Sequence, residues 1–116
     1  GTLADFLFDS TNTWSQYLLR IAEDICRGMN FLQDFVYFDE VDGREYTGII
    51  HRDLSTNNCL IGDYTSVKIS DFGSSHPNSS KKLKLNESQG TPFFTAPEIF
   101  LGQSYSEKVD VYSFGM

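Results

Sequence analysis

Residues 51–60 read HRDLSTNNCL, and how this stretch is understood decides the fold of everything around it. His51, Arg52 and Asp53 stand side by side, and Asn58 comes five positions after the Asp. An apolar pair, Ile49-Ile50, precedes them, and Cys59-Leu60-Ile61 comes next. A polar loop between two short apolar strands is a natural place for a site, because strands are rigid supports and loops carry functional groups. The same residues also fit a solvated turn with a few local hydrogen bonds, and taken alone the stretch leaves both readings open.

The neighbouring sequence organises around that loop. Residues 58–61 and 67–70 are short β-prone runs, and Gly62-Asp63-Tyr64-Thr65 between them predicts a hairpin. Upstream, Trp14, Tyr17, Leu18, Ile21, Ile25, Met29 and Leu32 recur at steps of three and four, which predicts a helix over 13–33. Thr13 with Gln16 three residues on has the form of a capping box. A shorter amphipathic piece covers 3–8. Residues 34–48, DFVYFDEVDGREYTG, read as a loop: the spacing of Asp39, Glu40, Asp42 and Glu45 fails the calcium-loop template, leaving a solvated acidic insertion. Residues 74–90 are rich in Ser, Lys and Asn and predict a mobile loop. A short helix is expected over 97–101, with Pro at its first turn, and a last helix from Ser106 or Lys108 onward.

The chain has 116 residues, 40% of them hydrophobic and 15% aromatic, which suits one globular unit or part of one. Nine basic against 16 acidic residues give a formal charge of −7, so a nucleic-acid partner is not expected. An acidic chain can still bind nucleotide phosphates if a divalent cation sits between the negative groups. Cys26 and Cys59 read as small core residues rather than a disulfide framework or a zinc site. No apolar run approaches the roughly 18–20 residues that span a bilayer, so a membrane is not implied. Both ends of the chain read like the interior of a domain, and the expectation is a fragment cut at both ends.

The polar loop gains meaning from the residues downstream of it. Asp71-Phe72-Gly73 comes at the end of the hairpin, thirteen residues after Asn58. Then come Gly90-Thr91-Pro92-Phe93-Phe94-Thr95-Ala96-Pro97-Glu98 and Asp110-Val111-Tyr112-Ser113-Phe114-Gly115. The ordered set HRDLxxxxN, DFG and APE resembles the catalytic domain of protein kinases, within the tyrosine-kinase-like group and with some similarity to receptor serine/threonine kinases. One such tripeptide is weak; all of them in order are specific. Gly1-Thr2-Leu3-Ala4-Asp5-Phe6-Leu7 is similar to the segment just past the family's hinge, so the resemblance covers nearly the whole chain.

The resemblance implies an α+β protein-kinase-like fold: a mostly helical C-lobe with a short β-hairpin, the N-lobe and the end of the C-lobe missing. Residues 1–116 would be a partial kinase domain, with 51–58 as catalytic loop and 71–98 as activation segment. The implied activity is ATP-dependent phosphoryl transfer to protein Ser or Thr, with dual specificity, a tyrosine kinase or a pseudokinase binding module as alternatives. Catalytic positions would be Asp53, Arg52, Asn58 and Thr91. Cofactor contacts would come from Leu60 beneath adenine and from Asn58 and Asp71, the last two also holding Mg2+. Such a transfer needs oxygens held in line and charge neutralised, and hard cations want oxygen ligands. Asp53 is the carboxylate placed to accept a hydroxyl proton. Gly73 is expected to give Asp71 its backbone freedom. His51 and Phe72 match the family's spine, Asp110 the acid that anchors the His51 backbone, and Glu98 the acid paired with a later Arg. ATP and a protein substrate are the implied partners, and the cytoplasm, or the cytoplasmic part of a membrane receptor, the implied location.

The sequence departs from the family at Ser55, where serine/threonine kinases carry a Lys that touches the γ-phosphate. Loss of one cation there is expected to cost several kcal/mol of transition-state stabilisation. Thr91 favours the Ser/Thr form, in which it is expected to hydrogen-bond toward Asp53. Arg52 beside Asp53 implies pairing with a loop phosphate. The family's main phosphosite falls on Glu87, with Ser88, Ser79 and Ser80 as nearby acceptors. The Gly-rich phosphate loop, the strand Lys and its Glu partner do not occur in these residues, so this stretch alone is not expected to turn over ATP.

Overall fold

The computed structural model describes residues 1–9, 11, 14–78 and 91–116. The Thr13 cap, residues 79–80, Glu87, Ser88 and Gly90 lie outside them. Four helices occur among the described residues: α1 (Leu3–Phe8), α2 (Trp14–Asp34), α3 (Pro97–Phe100) and α4 (Lys108–Gly115). Each lies where the sequence predicts a helix, α2 by its apolar spacing and α3 by the Pro at its first turn. Thr2 and Asp5 close a capping box at the start of α1: Asp5 N–H donates to Thr2 Oγ1 (3.1 Å), and Thr2 N–H donates to Asp5 Oδ2 (3.3 Å).

Six strands pair as three separate antiparallel ladders: β1 (Val36–Asp39) with β2 (Arg44–Thr47), β3 (Ile49–Ile50) with β6 (His76–Pro77), and β4 (Cys59–Ile61) with β5 (Val67–Ile69). The β4–β5 hairpin is the expected one. Its register sets Cys59 opposite Ile69, Leu60 opposite Lys68 and Ile61 opposite Val67. Cys59 and Val67 point into the core, and Leu60 and Lys68 point out. Two ladders correct the sequence reading. Residues 34–48 are not a loop but the β1–β2 hairpin, whose Asp42-Gly43 turn signal lies between a Val-Tyr-Phe run and an Arg-Glu-Tyr-Thr run. The acidic composition masked that signal, but the acids serve the turn. Asp39 Oδ1 accepts from Val41 N–H (2.8 Å), and Asp42 Oδ1 accepts from Arg44 N–H (2.9 Å). Likewise His76–Pro77, inside the expected mobile loop, pairs with Ile49–Ile50.

The core has two parts. One gathers Leu3, Ile21, Ile25, Met29, Leu32, Leu54, Cys59 and Val67, joining α1 and α2 to the β4–β5 hairpin. The other gathers Ile50, Ala96, Ile99, Tyr105 and Val109, joining β3 to α3 and α4. Residues 51–58 run between the two and are held from both sides. Of the cysteines, Cys59 is buried as expected, and burial pushes its thiol up to about 11. Cys26 is exposed on α2, off the apolar stripe, and is not a core residue.

Gly48 joins the β1–β2 hairpin to β3. Its φ is +93°, and a Cβ there would meet the Gln33 carbonyl oxygen at 3.1 Å and Asn78 Cβ at 3.2 Å. Its N–H donates to the Phe35 carbonyl (2.7 Å), and its own carbonyl accepts from Asn78 N–H (2.9 Å). Gly48→Ala is therefore expected to destabilise the domain by at least about 1–2 kcal/mol, the cost of a left-handed backbone for a residue with a Cβ. Thermal unfolding of the variant checks this.

Candidate active site

Residues 51–58 are fixed by a single buried carboxylate. Asp110 on α4 is 2% exposed, and its two oxygens are used separately. Oδ2 accepts from His51 N–H (2.7 Å) and Oδ1 from Arg52 N–H (2.9 Å). The anchoring of the His51 backbone expected of Asp110 is present, and it extends to Arg52. Burial pushes the Asp110 carboxyl above its ordinary 3.8, against the lowering from the Arg52 and His51 N–H donors.

His51 is fully buried. Its Nε2 lies 2.8 Å from the Ser70 carbonyl oxygen, and its Nδ1 accepts from Asp53 N–H (3.2 Å). Those partners select the tautomer with the hydrogen on Nε2. The Phe72 ring meets the imidazole edge-on, centroids 5.1 Å apart. His51 thus ties the loop that carries Asp53 to the segment that carries Asp71.

Arg52 has φ +70°, in the left-handed region. This bend turns the side chain away from Asp53. Its Nε donates to the Ser74 carbonyl and one terminal nitrogen to the Tyr105 hydroxyl (2.8 Å). Sequence reasoning missed Tyr105, a buried residue between α3 and α4 whose only sequence signal is a lone aromatic in a polar stretch.

Asp53 is partly exposed. Its Oδ1 accepts from Thr91 N–H (3.1 Å) and from Thr91 Oγ1–H (3.2 Å). Two residues 38 positions apart in sequence therefore meet through one oxygen. Thr91 is held in turn: its carbonyl accepts from Thr95 Oγ1–H (3.0 Å). The 3₁₀ turn Pro92–Phe94 after it is pinned to α4 by Ser113 Oγ–H, which donates to the Phe94 carbonyl (2.6 Å). Sequence reasoning also missed this Ser113 contact.

Asn58 and Asp71 come together through the hairpin. Asn58 Nδ2 donates to the Asp53 carbonyl (2.7 Å), and the Asn58 carbonyl accepts from Ser70 N–H (2.8 Å) and Ser70 Oγ–H (3.0 Å). Asp71 is the next residue, exposed, with φ +59°. Asp71 itself takes the left-handed backbone. The Gly73 N–H donates to Asp71 Oδ1 (3.3 Å). A neutral amide and a carboxylate make a sparse oxygen donor set, and no cluster of three or more His, Cys, Asp or Glu suited to a metal occurs among the described residues. That set fits Mg2+, which keeps several waters and takes substrate phosphate oxygens as ligands. Leu60, 45% exposed, forms an apolar surface near Thr2, with which it makes an isolated β-bridge.

Ser55 does not replace the expected cation. It is 3% exposed, its hydroxyl has no hydrogen-bond partner, and it lines an apolar cavity of about 350 Å³ with Leu3, Ile21 and Leu54.

The protein tyrosine and serine/threonine kinase family matches the chain across residues 1–116, and the chain belongs to that family. A probable serine/threonine-protein kinase of Dictyostelium discoideum is 36% identical over 117 residues, covering 100% of this chain and 11% of that protein. The serine/threonine/tyrosine-protein kinase HT1 of Arabidopsis thaliana is 41% identical over 100 residues, covering 85% of this chain and 22% of that protein. The tyrosine-protein kinase TXK of Homo sapiens is 37% identical over 118 residues, covering 100% of this chain and 20% of that protein. The chain thus spans between 11% and 22% of the length of these three curated relatives.

Two outcomes are expected from this geometry. Asp110→Ala leaves two buried N–H donors without partners and is expected to cost about 2–6 kcal/mol, at about 1–3 for each. Because the folded carboxyl binds its proton more tightly than the unfolded one, the proton-linked part of its contribution is fully present below pH 3.8 and is lost as pH rises through the raised value. The stability gap between the parent and Asp110→Ala, measured by denaturant titration, should therefore narrow upward through that window. Ser55→Ala removes a hydroxyl that makes no bond, so its unfolding midpoint should equal or exceed the parent's.

Proposed function

We propose that this chain is the C-lobe portion of a protein kinase and carries the groups that transfer the γ-phosphoryl of ATP to a protein Ser or Thr hydroxyl. The observation that carries this reading is the Thr91–Asp53 bridge. Thr91 occupies one oxygen of Asp53 with both its N–H and its hydroxyl. The carboxylate is thereby oriented, and Oδ2 is left for a substrate hydroxyl.

Mg·ATP, when bound, supplies the phosphoryl group and the cationic charge at its oxygens. Asn58 and Asp71 would hold the Mg2+, each backed by the network that joins them through Ser70. Leu60 would lie under the adenine. Asp53 would align the substrate hydroxyl and take its proton as the new P–O bond forms and the bond from the γ-phosphorus to the bridging oxygen breaks, releasing ADP, a contribution of about 10²–10⁴-fold. Arg52 acts at one remove, by holding Ser74 of the activation segment, and Tyr105 beyond its end, to the catalytic loop. The family's use of ATP and Mg2+ and the kinase names of the relatives support this reading.

A second reading has its own observation. Ser55 sits buried in an apolar wall and offers no charge, which suits a pseudokinase that binds without transferring. A tyrosine-kinase reading is favoured by the likeness to TXK, and the Thr91 contact weighs against it.

Extending the chain through both lobes and supplying Mg·ATP with a mixed Ser/Thr/Tyr peptide pool decides among these. Mass spectrometry is expected to find phosphoserine and phosphothreonine, falling roughly 10²–10⁴-fold with Asp53→Asn. Thr91→Val removes one hydrogen bond to a charged group and is expected to lower transfer roughly 10–100-fold. Phosphotyrosine alone would overturn the Ser/Thr reading. Nucleotide binding without transfer would establish the pseudokinase.

A further inference from the structure

The β1–β2 hairpin takes no part in the site just described. From its face we infer that it is a docking surface for an extended, basic segment of another protein, one that alternates Lys or Arg with apolar residues. Val36 and Phe38 point to one face of the hairpin and are 51% and 62% exposed; Val41 at the tip is 97% exposed. Phe35, at the root, is 38% exposed and packs on Phe31 of α2 with ring centroids 5.7 Å apart. Chains rarely leave this much apolar surface together in one short segment without a use for it.

Charge states what the partner must be. Between residues 34 and 48 lie Asp34, Asp39, Glu40, Asp42 and Glu45, against Arg44 alone, so this segment holds a net −4 of the chain's −7. Glu45 stands directly opposite Phe38 on the exposed face. The ion pairs among the described residues are Arg27–Glu23 and Lys108–Glu107, so neither Glu40 nor Glu45 is neutralised by one. A rim of carboxylates around apolar side chains complements a segment whose cations flank apolar groups. It repels a second copy of itself, an anionic membrane and a nucleic acid.

Backbone geometry states how the partner sits. β1 pairs with β2 and with no other strand, so its outer edge faces no strand among the described residues. Sheet edges are normally protected by charge, and here the edge strand Val-Tyr-Phe-Asp is mostly apolar. An extended peptide added along β1 meets Val36 and Phe38 with alternate side chains, in the mode known from other strand-addition sites. A surface of this size predicts a weak, transient contact. The inference does not depend on chemistry at Asp53.

The test uses the complete protein and a fluorescein-labelled ten-residue peptide alternating Lys and Val, followed by fluorescence anisotropy. Saturable binding is expected, weakening as salt rises. It should fall at least tenfold with Phe38→Ser, with the tip variant Val41→Ser as an independent arm, and with Glu45→Lys. A Glu–Val peptide and a Lys–Ser peptide should each bind at least tenfold more weakly than the Lys–Val peptide. Equal binding of the Lys–Ser peptide would overturn the apolar half of the inference. Binding unaffected by all three variants would overturn the assignment to the hairpin. Variant-sensitive association with phosphatidylserine vesicles, or self-association that needs Phe38, would overturn the choice of partner.

Discussion

The carboxylate of Asp110 is the constraint on which the site depends. It lies in the interior and pays for that with a proton affinity above the ordinary carboxylate value. In return its two oxygens fix two consecutive backbone N–H groups, those of His51 and Arg52. Two fixed amides determine the path of the loop at the point where Arg52 takes a left-handed backbone. Without such an anchor that conformation would relax, since a side-chain-bearing residue there costs energy that surrounding contacts must offset.

From this anchor the other groups are reached by short links. His51 meets Ser70 with one ring nitrogen and Asp53 with the other. Ser70 meets Asn58 with both its amide and its hydroxyl. Thr91 meets Asp53, and Ser113, one turn along α4 from Asp110, holds the segment just after Thr91. A single helix therefore bears on both the catalytic loop and the segment that faces it. Most of these links join a polar side chain to backbone, so the network sets positions without requiring a dense cluster of charge.

The departures lie away from this network. Ser55 turns a position that carries a cation in many relatives of this kind into a buried hydroxyl beside an apolar cavity. The β1–β2 hairpin presents an acidic and apolar surface just before β3, to which Gly48 joins it.

The sequence alone determined the helices, the β4–β5 hairpin and the family. Apolar spacing located α2, two β-prone runs around a turn signal located β4 and β5, and the order of His51-Arg52-Asp53, Asn58, Asp71-Phe72-Gly73 and Ala96-Pro97-Glu98 named the family. These signals are local, or repeat at fixed offsets, and so survive in one dimension. The β1–β2 hairpin was hidden because its turn acids are also what a solvated loop would contain, and β6 because two residues are too short to show a period. Only the tertiary structure decided that Arg52 turns toward Tyr105, that Asp71 takes a left-handed backbone, and that Ser55 faces an apolar wall. Each of these depends on a contact between distant segments or on one dihedral angle, and neither is written in residue type or spacing.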